Sequence, residues 1–258
     1  MGGTFDMTED TAVRFAELIA SKSDTKFDKQ QFLENFRKGA ASTAEDIPEV
    51  SGVLADKIAR FRKTETRRYY PMSLFVSEDV KFFEFKDWKA PTQEYHDIGK
   101  KAFMAAKKLE QASGNYVLVG RAGTGKTALS VAMLNELMKV KSGLFVNLVN
   151  LRSLMLMSIN DERAKQDYNI IIRGMKEVDV LVMDDFGKES GSGGATDKMT
   201  EILYGIVNAR IGKTTIITTN DNLTELNAKY DESLTSRLIP KDKDKIIIFQ
   251  GIDDYREA

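Results

Sequence analysis

The stretch YVLVGRAGTGKTALSVAML, residues 116–134, decides how the rest of the chain is read. Four β-prone residues, Tyr116–Val119, run into GRAGTGKT, which fits G-x-x-x-x-G-K-[ST] with Gly120, Gly125, Lys126 and Thr127. A loop of this kind turns its backbone N–H groups inward and solvates phosphate oxygens without bulky side chains. Gly123 and Gly125 allow the backbone angles and the close approach, and Arg121, Ala122 and Thr124 complete the cradle. Lys126 brings a point charge to the β- and γ-phosphates, and the Thr127 hydroxyl is a ligand for Mg²⁺. The bland alternative is a chance match in a Gly-rich turn. The context argues against it, because an apolar strand precedes the motif and a helical pattern with Ala128, Val131, Leu134, Leu137 and Met138 follows it.

Outward from this stretch the chain alternates strand and helix. Strands are expected at 116–120, 143–149, 178–185, 214–220 and 245–251, each a short Pro-free, β-rich run of the kind buried in parallel sheets. Helices separate them, including KMTEILYGIVNARI with Met199, Ile202, Leu203 and Ile206 on one face. The pattern predicts an α/β fold, a five-stranded parallel sheet flanked by helices, and the strand order usual in this class puts the strand at 116–120 at its centre. Upstream, three short amphipathic patterns carry Phe27, Phe32, Phe36, Leu54, Ile58 and Phe61 and predict a small helical domain over 1–65, or a helical extension packed on the main domain. An aromatic, irregular linker over 66–90 leads to the main domain at 91–258, helical from about Tyr95.

Composition narrows the chemistry. The chain has 258 residues, no cysteine, a single His96 and a net charge of −1. This excludes disulfides, cysteine zinc sites and the usual Cys or Ser–His nucleophile pairs, and any contact with nucleic acid must come from a local patch. No run approaches the roughly 18 apolar residues of a membrane span, and the acidic start MGGTFDMTED has no signal-peptide core. A cytoplasmic location with no membrane contact is expected.

Three further features complete the candidate site. VLVMDD ends its strand in two acids, Asp184 to hold Mg²⁺ and Asp185 to orient or deprotonate an attacking water; a solvated strand end is the alternative. IITTN places Asn220 where an amide can sit between the metal and the γ-phosphate, or simply open a turn. ESLTSRLIP places Arg237 late in a short helix before the last strand, suited to the γ-phosphate of a neighbouring subunit or to a surface ion pair.

These motifs, in this order and spacing, resemble the AAA+ ATPases of the DnaC/DnaI type, the replicative helicase loaders of bacteria and phages. DDFGKE and ILYGIVNARIGKTTIITTN carry the likeness further, over about residues 82–258. The resemblance implies an AAA+ core without a C-terminal lid domain, ATP and Mg²⁺ as cofactors, and ATP hydrolysis. It implies a hexameric DnaB-type replicative helicase as partner of the amino-terminal domain, self-assembly on ATP, and contact with single-stranded DNA during replication initiation. It also implies a helix pair after the second strand, filled here by NLRSLMLMSIN and DERAKQDYNIIIRGMKEV, with Arg152, Arg163, Lys165 and Arg173 available for phosphate. Two other readings stay open: an IstB-like transposition ATPase, and a nucleotide-gated adaptor with negligible hydrolysis.

Overall fold

The computed structural model describes residues 68–189, 197–252 and 255, with the isolated positions 13, 17, 30 and 34. The chain divides into two compact units, Met1–Glu65 and Thr66–Ala258, and the architecture below is that of the second. Apart from those four isolated positions, the helical domain expected over 1–65 lies outside the described residues.

The second unit is a five-stranded, wholly parallel sheet. Its strands are β1 (Asn115–Gly120), β2 (Gly143–Asn147), β3 (Val180–Asp184), β4 (Thr214–Thr219) and β5 (Ile246–Phe249), in the order β2-β3-β4-β1-β5. β4 takes the middle and β1 lies between β4 and the four-residue edge strand β5, not at the centre as expected from sequence. The helices are α1 (Gln93–Gln111), α2 (Lys126–Leu137), α3 (Leu148–Met157), α4 (Glu162–Glu177), α5 (Asp197–Ala209), α6 (Leu223–Lys229) and α7 (Glu232–Leu238). Alternation along β1 serves both faces: Tyr116 and Leu118 join the core under α1 and α2, and Val117 joins the core under α3, α4 and α5. Met199, Leu203 and Ile206 of α5 are fully buried in that second core, with Ile202 packed against it.

Several boundaries differ from the sequence expectation. β2 stops at Asn147 because the Asn147 side chain accepts the Asn150 N–H and caps α3, turning residues 148 and 149 into helix. α2 is buried nearly all round, Ser130 and Met133 included, because α1 and the preceding segment cover the side that an amphipathic reading leaves to solvent. The segment read as a linker packs against the domain at several points along its described part. Leu74 bridges Val146 on the β2 edge, Phe75 stacks on Phe145 at 4.7 Å, and Asn135 of α2 donates to the carbonyls of Lys81 and Phe83. The expected helix pair is present as α3 and α4, the latter capped by the Asp161 side chain. Among the described residues no helix is long and apolar enough to cross a membrane.

Candidate nucleotide-binding site

The loop joining β1 to α2 carries left-handed glycines at Gly123 (φ +83°) and Gly125 (φ +86°), the latter being the N-cap of α2. These angles strain any residue with a Cβ, and they place the loop at the positive end of the α2 dipole, where an anion is favoured. Thr124 Oγ1 donates to the Arg121 carbonyl at 2.9 Å and stiffens the turn, while Arg121 and Ala122 form its exposed tip. Lys126, only 6% exposed, folds back to donate to the carbonyls of Gly120 (2.8 Å) and Arg121 (2.6 Å). Burial, then the charge of Lys188, pulls its pKa down to about 8 against the opposing pull of Asp185 and Asp184. The lysine is desolvated and waits on neutral carbonyls. An anion in the loop would satisfy it.

Facing it, the C-terminal ends of three adjacent strands converge, where open parallel sheets bind ligands. Asp184 closes β3 and is fully buried. Its Oδ1 accepts from Thr127 (2.9 Å) and Thr218 (2.6 Å), and its Oδ2 accepts from Asn147 (3.0 Å), its register partner on β2. Burial raises its pKa, and the three neutral donors oppose that rise. The two sequence-assigned metal ligands, Thr127 and Asp184, are therefore already in contact. Among the described residues no group of three or more His, Asp or Glu gathers to hold a metal alone. A Mg²⁺ here would take its remaining ligands from phosphate and water, which suits its preference for few protein donors.

Asp185 sits at φ +59°, the one non-glycine with positive φ among the described residues. Its N–H donates to Thr218 Oγ1 at 2.9 Å, and its carboxylate pairs with Lys188 at 2.7 Å, with Asn147 Nδ2 at 3.4 Å. This left-handed turn lifts the second acid off the strand line toward the open site. Behind it, the buried Glu189 accepts from Gly187 N–H (2.8 Å) and from Tyr230 OH, locking the turn that follows β3. Asn220, one residue past β4, has its side-chain oxygen buried with no partner, so an unfilled hydrogen-bonding group lies at the strand end.

Arg237 is elsewhere. It is exposed on α7, donates to Tyr204 OH (2.8 Å) and the Ser233 carbonyl (2.7 Å), and lies 5.2 Å from the Tyr204 ring centre. Its own carbonyl accepts from Asn115 Nδ2 at 2.7 Å, tying it to the N-terminal end of β1. The phosphate loop leaves the other end of that strand, about 16 Å away at some 3.3 Å per residue. The structure thus brings together the loop, Lys126, Thr127, Asp184 and Asp185, places Asn220 just past the end of β4 beside β1, and leaves Arg237 at the opposite, N-terminal end of the strands. Sequence reading missed Asn147, whose signal was a polar residue ending an otherwise apolar strand, Thr218, one of four threonines in β4, and Lys188, which had no signal. The lone His96 is exposed on α1, outside the site.

This geometry agrees with what the chain matches. Residues 33–245 match the family described as IstB-like ATP binding protein. The chain belongs to that family. Its role is that of an ATP-binding protein, and it shares homology with the replicative helicase loader DnaC. Among curated relatives of this IstB-like chain, the phage-like element PBSX protein XkdC of Bacillus subtilis is 30% identical over 139 residues, covering 52% of this chain and 50% of that one. The replicative helicase loader DnaC of Escherichia coli K12 is 27% identical over 140 residues, covering 52% and 55%. The aligned region thus spans about half the length of these relatives. In fold, the chain is similar to the crystal structure of the DnaC helicase loader (TM-score 0.53, 20% identity, 67% of this chain and 99% of that one). It is likewise similar to AMPPCP-bound DnaA from Aquifex aeolicus (TM-score 0.54, 18% identity, 68% and 52%).

Proposed function

We propose that this IstB-like protein is an ATP-hydrolysing loader that binds a hexameric DnaB-type replicative helicase and delivers it to single-stranded DNA in the cytoplasm. In this reading Lys126 leaves the Gly120 and Arg121 carbonyls for the β- and γ-phosphates. Thr127, and Asp184 through water, would hold Mg²⁺, which would neutralise charge on the phosphates. Asp185 gives up Lys188 and accepts the proton of the attacking water, which the Asn220 amide holds in line. The amino-terminal 65 residues grip the helicase, and the exposed Arg163 and Arg173 of α4, with the half-buried Arg152 of α3, offer cations to the DNA backbone. Lys165 belongs to the same helix but pairs with Glu162 at 3.3 Å.

The observation that carries the assembly is the place of Arg237. A phosphate site at one end of the strands with its candidate arginine at the other end is suited to completion by a neighbour. For the partner, the support is the likeness to the Escherichia coli replicative helicase loader. Turnover measured in mixtures tests the assembly. Lys126→Ala and Arg237→Ala should each be inactive alone and regain turnover together, since an intact pocket then meets an intact arginine. No recovery although mixed oligomers form would refute the trans role.

Two rival readings have an observation each. The family description favours a transposition ATPase, which stimulation by duplex DNA and a transposase, and not by single-stranded DNA and helicase, would select. The Lys188–Asp185 ion pair favours a nucleotide-gated adaptor, which ATP binding without turnover under any stimulus would select.

A further inference from the structure

Two aromatic residues outside the site described above lie against the phosphate loop. The Trp88 and Tyr255 rings stack at 4.2 Å and 4°. They lie against the loop so closely that a Cβ built on Gly125 would stand 2.7 Å from Trp88 Cζ3 and 3.1 Å from Tyr255 Cγ. The Tyr255 N–H also donates to the Gly123 carbonyl at 2.8 Å. Both left-handed glycines of the loop are therefore held by one aromatic pair, supplied by segments more than a hundred residues apart in sequence.

The pair is itself anchored. Trp88 Nε1 donates to the Tyr95 carbonyl at 2.9 Å, and the indole presses on α1 where a Cβ on Gly99 would meet Trp88 Cδ1 at 2.6 Å. Tyr255 OH accepts the Lys89 N–H at 2.6 Å and donates to the Asp87 carbonyl at 3.2 Å.

We propose that Trp88 and Tyr255 are positioning residues that hold the phosphate loop in its anion-binding conformation before ATP arrives. A loop carbonyl covered from water by packed rings needs a partner. Tyr255 supplies one for Gly123. The flat stack then stops Gly125 from leaving its left-handed conformation, which glycine alone would do freely. A loop held in this way binds phosphate without having to be ordered first. The proposal rests on ATP binding and is independent of helicase loading.

The test uses the full chain and two ligands, ATP and inorganic tripolyphosphate, titrated calorimetrically with thermal melting alongside. Tyr255→Ala should weaken both ligands together by about tenfold, the effect of having to order roughly one further loop residue on binding. Tyr255→Phe keeps the stacked ring, loses only the hydroxyl, and should stay within about threefold of wild type. Trp88 is the only tryptophan, so its emission should shift to the red in nucleotide-free Tyr255→Ala, and tripolyphosphate alone should perturb it in the wild type. Trp88→Leu, made should Tyr255→Ala fail to fold, should show the same joint loss. Weakening of ATP with tripolyphosphate unchanged would make the pair a base platform and overturn the clamp. Tighter binding by Tyr255→Ala would make Tyr255 a plug, and unchanged affinities would make the stack idle; either overturns it. A wild-type chain that binds neither ligand would instead overturn the nucleotide site, and the clamp with it.

Discussion

Raising the pH from 7 to 9 should weaken ATP binding through one residue, Lys126. Its pKa in the empty site is drawn from its ordinary 10.5 to about 8, chiefly by burial and then by Lys188. Phosphate binds the charged form, so binding above pH 7 must take up the proton that the empty site has lost. With a pKa near 8, about a tenth of empty sites are neutral at pH 7, about half at pH 8 and about nine tenths at pH 9. ATP affinity should therefore fall about tenfold between pH 7 and pH 9, roughly 1.4 kcal/mol. Calorimetry in two buffers of different ionisation enthalpy should find uptake of about half a proton per ATP at pH 8. Stability of the nucleotide-free protein moves the other way. The unfolded lysine keeps its proton up to about 10.5 while the folded one loses it near 8, so the unfolded state binds more protons in that window and stability rises with pH through it. Lys188→Ala removes a like charge and should shrink both effects. An affinity flat from pH 7 to pH 9, with no proton uptake, would refute the reasoning.

Other perturbations separate the parts of the site. Asp185→Asn should bind ATP and Mg²⁺ and lose at least about a hundredfold in turnover, since an amide cannot act as base, whereas Asp184→Asn should raise the Mg²⁺ concentration needed for half-maximal activity; wild-type kinetics in both would remove the acids from the chemistry. Arg237→Ala should bind ATP as tightly as wild type in equilibrium titration but lose roughly 10³–10⁵ in assembly-dependent turnover, the range seen for arginines supplied in trans. Leu118→Ala, a fully buried residue of β1 beneath α1 and α2, should lower unfolding free energy by about 2–5 kcal/mol in denaturant titration. Deleting residues 1–65 should leave ATP binding intact and abolish capture of the helicase, as measured by pull-down.

Much of this was legible in the sequence because the local rules and the fold agree. GRAGTGKT could be placed because it sat between a strand and a helix, and VLVMDD because its acids ended an apolar run. The helix over 197–209 showed its buried face through Met199, Leu203 and Ile206. Residues that act through register were not legible. Asn147 matters because β2 lies beside β3 with Asn147 opposite Asp184, and no periodicity in a single strand says which strand is its neighbour. The same holds for Thr218, brought to Asp184 by the β3–β4 pairing, and for Tyr255, whose ring reaches the phosphate loop from the other end of the domain. The sequence also invited β1 to the centre of the sheet, because strand order depends on crossovers that composition does not record.

The most direct measurement of the central claim is transfer of the replicative helicase onto circular single-stranded DNA, which has no end to thread. The account predicts that the wild-type chain with ATP places helicase on the circles, and that Lys126→Ala, though folded and still able to capture helicase, does not. Equal loading by Lys126→Ala, or no loading by the wild-type chain with its helicase bound, would contradict it.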